Sequence, residues 1–426
     1  MEAREHVPTL RPREPAADAA SGVLFRVLDQ HVEDAAGLRR VRSRLVRAPH
    51  VRLSDLARLD ERLAAHLDGI AVAGRAGVRS SIQALERTGK GELFTAAIGC
   101  IESQSDPAIL RLIALGQAVP DARPGLHSAF GWVSASRLSG VVAMLLACED
   151  PAARLAGLEG CVQHRVDPKR HLDMALVSGD PALRAAALRC AGEIGRVDLL
   201  DACESRLDDP DASCRFHAAR SALLLGNRQA PLAILRELSL TTSAFSETAL
   251  ALTASVLPPA DAHRWLEEIA ARQEGVRGLI RAIGFAGDPR YVHWLTGHMG
   301  DERLARLAGE AFSLITGADF VRLRLERPKS HEDSDAAQEE DDGAPWPDPD
   351  KARAWWEENR TRMPGKVRHF MGALPSKAQY VGVLRNGAQR QRAAAAMQMR
   401  LADPRGVLFN CAAPAWRQKR ALLASI

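Results

Sequence analysis

Residues 180–195 read DPALRAAALRCAGEIG, an aspartate and a proline followed by a run rich in alanine and leucine. An aspartate with an arginine four residues later recurs at steps of 30 and 31 residues. Such a period is typical of a solenoid, whose short helical hairpins bury their apolar faces only by stacking on neighbours. The sequence therefore predicts an all-α protein, an α-solenoid of short helical hairpins. The repeated pairs are Asp150 and Arg154, Asp180 and Arg184, and Asp211 and Arg215.

The composition agrees with a helical protein. Hydrophobic residues make up 46% of the chain but aromatic residues only 4%, and alanine and leucine favour closely packed helices over sheets. The 7 cysteines are scattered and never spaced as Cys-x-x-Cys, so we predict buried thiols, with neither a disulfide framework nor a zinc cage. The longest apolar run, residues 141–148, is too short to span a bilayer. We expect a cytoplasmic protein that needs no cofactor.

Turn residues divide the chain into hairpins. Asp150-Pro151 and Asp180-Pro181 each place a capping aspartate before a proline at the first helical position, and glycines follow the expected helix ends. The predicted helix pairs are 107–118 and 123–136, 138–148 and 151–164, 168–178 and 181–193, 197–207 and 211–225, 229–239 and 244–256, 260–272 and 275–286, and 289–299 and 302–316.

Five regions follow from composition and periodicity. Three prolines mark a disordered lead, and a stripe of leucines marks a helical cap that lacks the repeat. Residues 331–350 carry nine acids and no lysine or arginine, whereas 351–426 carry 15 bases against three acids. The predicted regions are a disordered lead (1–21), an N-terminal helical cap (22–105), a repeat solenoid (106–326), an acidic disordered linker (327–350) and a basic C-terminal helical segment (351–426).

The repeated aspartates and arginines have a structural interpretation. An aspartate in the turn of a hairpin can accept backbone N–H groups at the start of the second helix. An arginine one turn later can reach the aspartate of its own unit or of the next, which would form a ladder of charge-assisted hydrogen bonds. We predict that these six residues set the register of the stack.

The sequence resembles known helical repeats. Residues 180–195 and the stretch AIGFAGDP at 282–289 are similar to short HEAT repeats of the bilin-lyase (E–Z) type. The stretches LDERLAAHLDG at 59–69, LAGEAFSLITG at 307–317 and GAQRQR at 387–392, with the C-terminal tryptophans, resemble a proteobacterial HEAT-repeat family of uncharacterised molecular function. Its genes often lie near type VI secretion genes. The resemblance implies no catalytic residues.

The sequence gives little indication of a catalytic, cofactor-binding or metal-binding motif. Di-iron hydroxylases on such repeats need several His-Glu pairs, and this chain has one, His331-Glu332, in the acidic linker. The repeat alone does not transfer the tetrapyrrole binding of bilin lyases. No His-Glu-x-x-His, P-loop or Gly-x-Ser-x-Gly pattern occurs. His66, with Asp60, Glu61 and Asp68 nearby, is interpreted as part of a solvated polar face. We predict no catalytic, cofactor or metal site.

A nucleic-acid-binding or base-processing protein is the alternative. Such proteins on HEAT-like scaffolds need a basic face and aromatic side chains against the nucleotide. Several aromatic residues and arginines lie close together in the last full repeats, although residues 1–330 are nearly neutral with 42 bases and 41 acids. At helical spacing these aromatics are also typical of a core. The residues concerned are Trp265, Trp294, Tyr291, Arg264, Arg281 and Arg290.

The C-terminal end carries the strongest recognition signal. Tryptophan and arginine are the residue types enriched at interface hot spots. The candidate partner-binding residues are Trp346, Trp355, Trp356, Arg390 and Arg392. In an alternative interpretation the tryptophans pack this end onto the last repeat. A third hypothesis is an electrostatic latch, in which the acidic linker covers the basic C-terminal segment until a partner competes.

The favoured function is a non-enzymatic scaffold or adaptor that presents a solenoid groove to a protein partner. The family resemblance implies that the partner belongs to, or is encoded beside, a bacterial type VI secretion apparatus. The sequence identifies neither the binding face nor the oligomeric state.

Overall fold

A computed structural model describes residues 24–271, 275–328 and 341–424. The predicted disordered lead lies outside these ranges, as do residues 329–340 of the predicted linker. The chain divides into two compact units: the first takes Met1–Val46, Leu53–Ile194 and Ala412–Ile426, and the second takes Arg47–Arg52 and Gly195–Cys411. Among the described residues no helix is both long and apolar enough to cross a membrane.

The first unit is built of α-helices. Up to Ile194 they are α1 (Phe25–Leu45), α2 (Leu53–Val72), α3 (Arg75–Gln83), α4 (Lys90–Glu102), α5 (Asp106–Ala118), α6 (Arg123–Trp132), α7 (Ala135–Ala147), α8 (Pro151–His164), α9 (Arg170–Leu176) and α10 (Pro181–Ile194).

The second unit continues the helical pattern. Its helices are α11 (Leu200–Glu204), α12 (Ala212–Leu224), α13 (Ala230–Ser239), α14 (Ser246–Val256), α15 (Pro259–Ala270), α16 (Val276–Ala286), α17 (Val292–His298), α18 (Ala305–Thr316), α19 (Pro349–Asn359), α20 (Lys377–Asn386) and α21 (Gln389–Ala402). Helix α22 (Ala415–Leu423) returns to the first unit and packs on α2.

Within each unit successive helices pair as hairpins, and the second helices form a row. In the first unit α4, α6, α8 and α10 each pack against the next, and in the second unit α14, α16 and α18 do the same. Because these helices have neighbours on several sides, 11 of the 14 residues of α10 are buried, against three of seven in α9. Small residues such as alanine allow the close approach. The predicted all-α fold of stacked helical hairpins is confirmed.

The predicted aspartate caps explain where the helices begin. The side chain of Asp150 accepts a hydrogen bond from the Ala152 N–H at 3.0 Å, directly before Pro151. The side chains of Asp180 and Asp211 accept from backbone N–H groups three residues later, at 2.9 and 2.8 Å. Each aspartate thus satisfies one of the N–H groups that a helix start leaves without a partner.

The end of the predicted disordered linker is ordered, which corrects the prediction for residues 341–350. Asp341 is 2% exposed, and its carboxylate accepts a hydrogen bond from Arg277 at 2.7 Å. The Trp346 ring lies against the guanidinium groups of Arg306 and Arg327, whose carbons are 4.8 and 4.9 Å from its centre. Acidic composition favoured disorder, but arginines of the repeats neutralise the charge and Trp346 supplies buried apolar area.

These contacts also bear on the latch hypothesis. Asp341 and Asp342 pair with Arg277 and Arg306, which lie on α16 and α18 of the repeats. The hypothesis placed the acids on the basic C-terminal segment instead. At these two aspartates, therefore, the acidic stretch contacts the repeats.

Residues 366–406, here called the covering segment, contact the C-terminal ends of four second helices in the second unit. The Leu224 carbonyl at the end of α12 accepts from Arg400 at 2.8 Å, and the Gly287 carbonyl after α16 accepts from the His369 N–H at 2.7 Å. The Leu314 carbonyl in the last turn of α18 accepts from the Met371 N–H at 2.7 Å. Carbonyl groups that the helix ends leave without partners thereby gain donors.

Arg368 makes the densest of these contacts. Its guanidinium donates to the carbonyls of Ala254 and Leu257 at 2.9 and 2.7 Å, to that of Ser255, and to that of Ala286 at 3.1 Å. It thus bridges the ends of α14 and α16. Burial lowers its pKa, yet a cation among the partial negative charges of two helix ends is well placed.

We expect Gly287→Ala to destabilise the protein. Gly287 has φ of 72°, and a Cβ there would lie 2.3 Å from the His369 carbonyl oxygen. The left-handed backbone and the clash together would lower the free energy of unfolding by about 2 kcal/mol or more. The measurement is the urea midpoint by circular dichroism.

Gly297→Ala is the matched control. Gly297 lies within α17, and an added Cβ would meet nothing within 4 Å. Because alanine favours a helix, this variant should gain up to about 1 kcal/mol. Equal midpoints for the two variants would contradict the constraint at Gly287.

Candidate functional site

The arginines of the predicted ladder brace their own turns. Arg184 donates to the Ser178 carbonyl at 2.7 Å, and Arg215 donates to the Asp209 carbonyl at 2.8 Å. Arg154 approaches the Glu149 carbonyl at 3.4 Å. With the aspartate caps, these hydrogen bonds fix the turn within each hairpin. That the six residues set the register between hairpins stays a prediction.

A different pair of residues joins neighbouring hairpins. The Arg189 side chain on α10 lies 2.5 Å from the Glu159 carboxylate on α8, and His127 on α6 lies 4.0 Å from the same carboxylate. Glu159 and Arg189 each follow a capping aspartate by nine residues, so they occupy equivalent places in successive repeats. The sequence reasoning missed this pair, although a polar position recurring in an Ala/Leu-rich helix was a signal that could have found it.

The charges of this network are mostly buried. Glu159 is 7% exposed. Burial lowers the pKa of the His127 imidazole, and the neighbouring Glu159 only partly opposes that shift. Burial also disfavours the charged Arg189, but Glu159 and Glu193 outweigh it and raise the pKa of the guanidinium. The network therefore joins α8 to α10 through the Arg189–Glu159 ion pair.

Three of the five predicted partner-binding residues are buried in the second unit. Trp346 and Trp356 are each 6% exposed and Arg392 is fully buried, with its Nε donating to the Leu384 carbonyl at 2.7 Å. Trp355 is half-buried, with its ring centre 5.8 Å from that of Phe312. Arg390 is half-buried and donates to Glu310 at 2.6 Å. In this conformation the tryptophans pack on the last repeats, as in the alternative interpretation.

The arginines proposed for nucleic-acid binding lie beside carboxylates. Arg290 is 2.7 Å from Asp288, while Arg264 pairs with Asp261 and Arg281 with Glu247. Each pair is close to neutral, so these arginines add little net positive charge.

The aromatic residues of the same hypothesis are divided between core and surface. Trp265 is 1% exposed and belongs to the core, whereas Trp294 is 36% exposed. The Tyr291 hydroxyl shares a hydrogen bond with His263 at 2.5 Å. Of the two tryptophans, only Trp294 is therefore available to stack on a base.

A cavity of the first unit lies where α22 meets α2 and α6. It measures about 250 Å³. Asp60, which is fully buried, positions α22: it accepts from Arg42 at 2.6 Å and from the Ala415 N–H at 2.8 Å. The cavity is lined by aromatic and ionisable side chains, which include Trp132, Trp416, His164, Glu102, Arg417 and Arg420.

The aromatic and basic walls of the cavity come from segments far apart in sequence. The rings of Trp132 and Trp416 meet edge to face with centres 4.7 Å apart. Arg417 donates to the Val133 carbonyl at 3.1 Å. Burial, with nearby Arg420 and Arg42, lowers the pKa of Arg417 to about 10, so it stays charged at neutral pH.

Two further polar walls are formed by His164 and Glu102. Burial, and next the charge of Arg417, lower the pKa of His164 to about 4, and the imidazole lies 2.8 Å from the Phe130 carbonyl. Burial raises the pKa of Glu102, although Arg137 opposes it from 3.6 Å. A pocket with two indoles, a neutral imidazole and charges of both signs fits the non-covalent binding of an amphipathic group.

Comparison with known proteins agrees with the repeat architecture. A family model described as HEAT repeats matches residues 169–255, which span α9 to the penultimate residue of α14. This stretch includes two of the three aspartate caps. No curated protein matches the chain, and neither does any solved structure.

We expect Arg189→Ala to lower the free energy of unfolding by about 3 to 5 kcal/mol, because it leaves the Glu159 carboxylate buried without its cation. The double variant Glu159→Leu with Arg189→Leu removes both charges and should lose much less. Urea denaturation of the two variants and the wild type measures the difference. A double variant as unstable as Arg189→Ala would contradict this explanation.

Stability should also depend on pH through His164. An unfolded imidazole takes up a proton below about pH 6.5, whereas the folded one does so only near pH 4. The unfolded state therefore binds more protons between these values, and the free energy of unfolding rises with pH across that window, by up to about 3 kcal/mol.

Urea denaturation from pH 4.5 to 7 tests this dependence. His164→Gln should flatten the rise, while His293→Gln, at an exposed position of α17, should leave it unchanged. The same slope in His164→Gln as in the wild type would assign the pH dependence to other groups.

Proposed function

We propose that this protein is a non-enzymatic scaffold that binds a protein partner. The observation that carries the proposal is the stack of helical hairpins whose central part matches HEAT repeats over residues 169–255. Repeats of this kind present extended surfaces on which other proteins dock. Function is thus expected to depend on surface recognition.

The cavity of the first unit is the surface that we assign to the partner. Trp416 and Arg417 belong to the residue types that dominate interface energetics, and they lie at an opening that already combines apolar and charged walls. Arg420 lines the same cavity and is exposed to solvent. A protein segment with one apolar and one acidic side chain would complement this arrangement.

The identity of the partner is a narrower proposal. The resemblance of residues 59–69, 307–317 and 387–392 to a family often encoded near type VI secretion genes makes components of that bacterial apparatus the first partners to test. Such a partner would be met in the cytoplasm.

Affinity capture from native cells tests both proposals. The tagged full-length protein is used as bait, with nuclease treatment, and captured proteins are quantified by mass spectrometry. We expect nuclease-resistant capture of specific proteins. Recovery of nucleic acid alone, lost on nuclease treatment, would favour the nucleic-acid alternative and overturn the scaffold.

Charge reversal at the cavity locates the binding surface. We expect Arg420→Glu to reduce capture at least about tenfold, because it places an acid where an acidic segment should dock. Lys419→Glu makes the same change of charge at the preceding exposed residue, which does not line the cavity, and should leave capture within about twofold. If the two variants behave alike, the partner binds elsewhere.

A further inference from the structure

Two histidines from different helices face each other in the first unit. Nδ1 of His31 on α1 lies 3.1 Å from Nδ1 of His66 on α2, and the ring centres are 5.2 Å apart at an interplanar angle of 65°. The spacing of charges in the sequence had suggested that His66 shares a solvated face with Asp60. Asp60 instead binds Arg42 and the start of α22, and His66 is turned toward α1.

The separation of the two nitrogens suits a transition-metal ion. Zinc binds imidazole nitrogen at about 2.0 to 2.1 Å, so two such ligands at a tetrahedral angle lie about 3.3 to 3.4 Å apart. A shift of a few tenths of an ångström from 3.1 Å would accommodate the ion. Nitrogen ligands favour zinc and its neighbours in the first transition series over magnesium or calcium.

A carboxylate lies at the same point. Oδ2 of Asp34, three residues after His31 on α1, is 3.7 Å from Nδ1 of His66. That distance is too long for a hydrogen bond, and the side chain is 42% exposed, so it is free to rotate toward an ion. The part of the chain that the structure describes holds no group of three metal-ligating residues already in position. The two histidines therefore provide two ligands for a metal ion, and a carboxylate and water would complete its coordination.

The His31 ring is held by packing. A Cβ at Gly69 on α2 would lie 2.9 Å from Cδ2 and from Nε2 of His31, so a side chain there would displace the ring. Packing on this edge directs Nδ1 toward His66. A ligand fixed before binding loses less side-chain entropy when the ion arrives, which strengthens a site with few ligands.

We propose that His31 and His66 form a binding site for Zn²⁺, with Asp34 as the third ligand, that joins α1 to α2. The His66 side chain is 25% exposed, so an ion can enter from solvent. Each imidazole binds the ion through its Nδ1 lone pair, and the ring that donates the Nδ1–Nδ1 hydrogen bond carries its proton on Nε2 instead when the ion is bound. The site is independent of the cavity assigned to a partner.

Isothermal titration of the purified full-length protein with Zn²⁺ tests the proposal. We expect one equivalent to bind, and His31→Gln and His66→Gln each to weaken binding at least about tenfold. These variants keep a polar side chain of similar size, and circular dichroism verifies that they fold. Asp34→Asn should weaken binding less, and His171→Gln, on α9, should bind as the wild type does.

Two further measurements separate this site from other zinc ligands. Co²⁺ substituted for Zn²⁺ should give a spectrum of nitrogen and oxygen ligands without a thiolate charge-transfer band, since half-buried Cys148 and Cys411 are the competing ligands. Gly69→Ala should weaken binding without removing a ligand, because it displaces His31. The absence of zinc binding by the wild type, or unchanged binding by both histidine variants, would overturn the assignment.

Discussion

The fold of the second unit depends on hydrogen-bond donors for the C-terminal ends of the second helices of its hairpins. A helix leaves its last carbonyl groups without partners, and burying them would be costly unless donors are supplied. In this unit the ends of α12, α14, α16 and α18 all receive donors from the covering segment, through Arg368, Arg400 and backbone N–H groups. Three of the 15 basic residues in the C-terminal segment therefore serve the fold. Arg368, Arg392 and Arg400 donate hydrogen bonds to backbone carbonyl oxygens. Composition alone cannot distinguish such arginines from those of a charged surface.

Local features of the fold were readable from the sequence because their causes are local. The helix predicted at 151–164 is observed as Pro151–His164, and the one predicted at 181–193 is observed as Pro181–Ile194, since an aspartate cap and a proline mark each start. Order in residues 341–350 was not readable, because it depends on Arg277 and Arg306, which are distant in sequence. Charge counts describe a segment in isolation, and order depends on what it contacts.

The two candidate sites were harder still to predict. The cavity combines α2, α6 and α22, and the last of these lies more than 280 residues after Trp132, so no periodic pattern joins its walls. His31 and His66 are 35 residues apart on helices that lack the repeat. Only the packing of α1 on α2 brings them together. Both sites lie in the first unit, whereas the tryptophans and arginines that the composition emphasised belong to the second unit, which buries most of them.

The covering segment has a consequence for how this protein can vary. A solenoid ordinarily tolerates the gain or loss of a hairpin, because each unit contacts only its neighbours. Here one segment carries Arg400 for the end of α12, Arg368 for the ends of α14 and α16, and Met371 for α18, at fixed separations along the chain. Inserting a hairpin among these helices would shift their ends by one repeat, so that the donors of the covering segment would no longer reach the carbonyl groups. In this unit the covering segment therefore restricts the number of repeats.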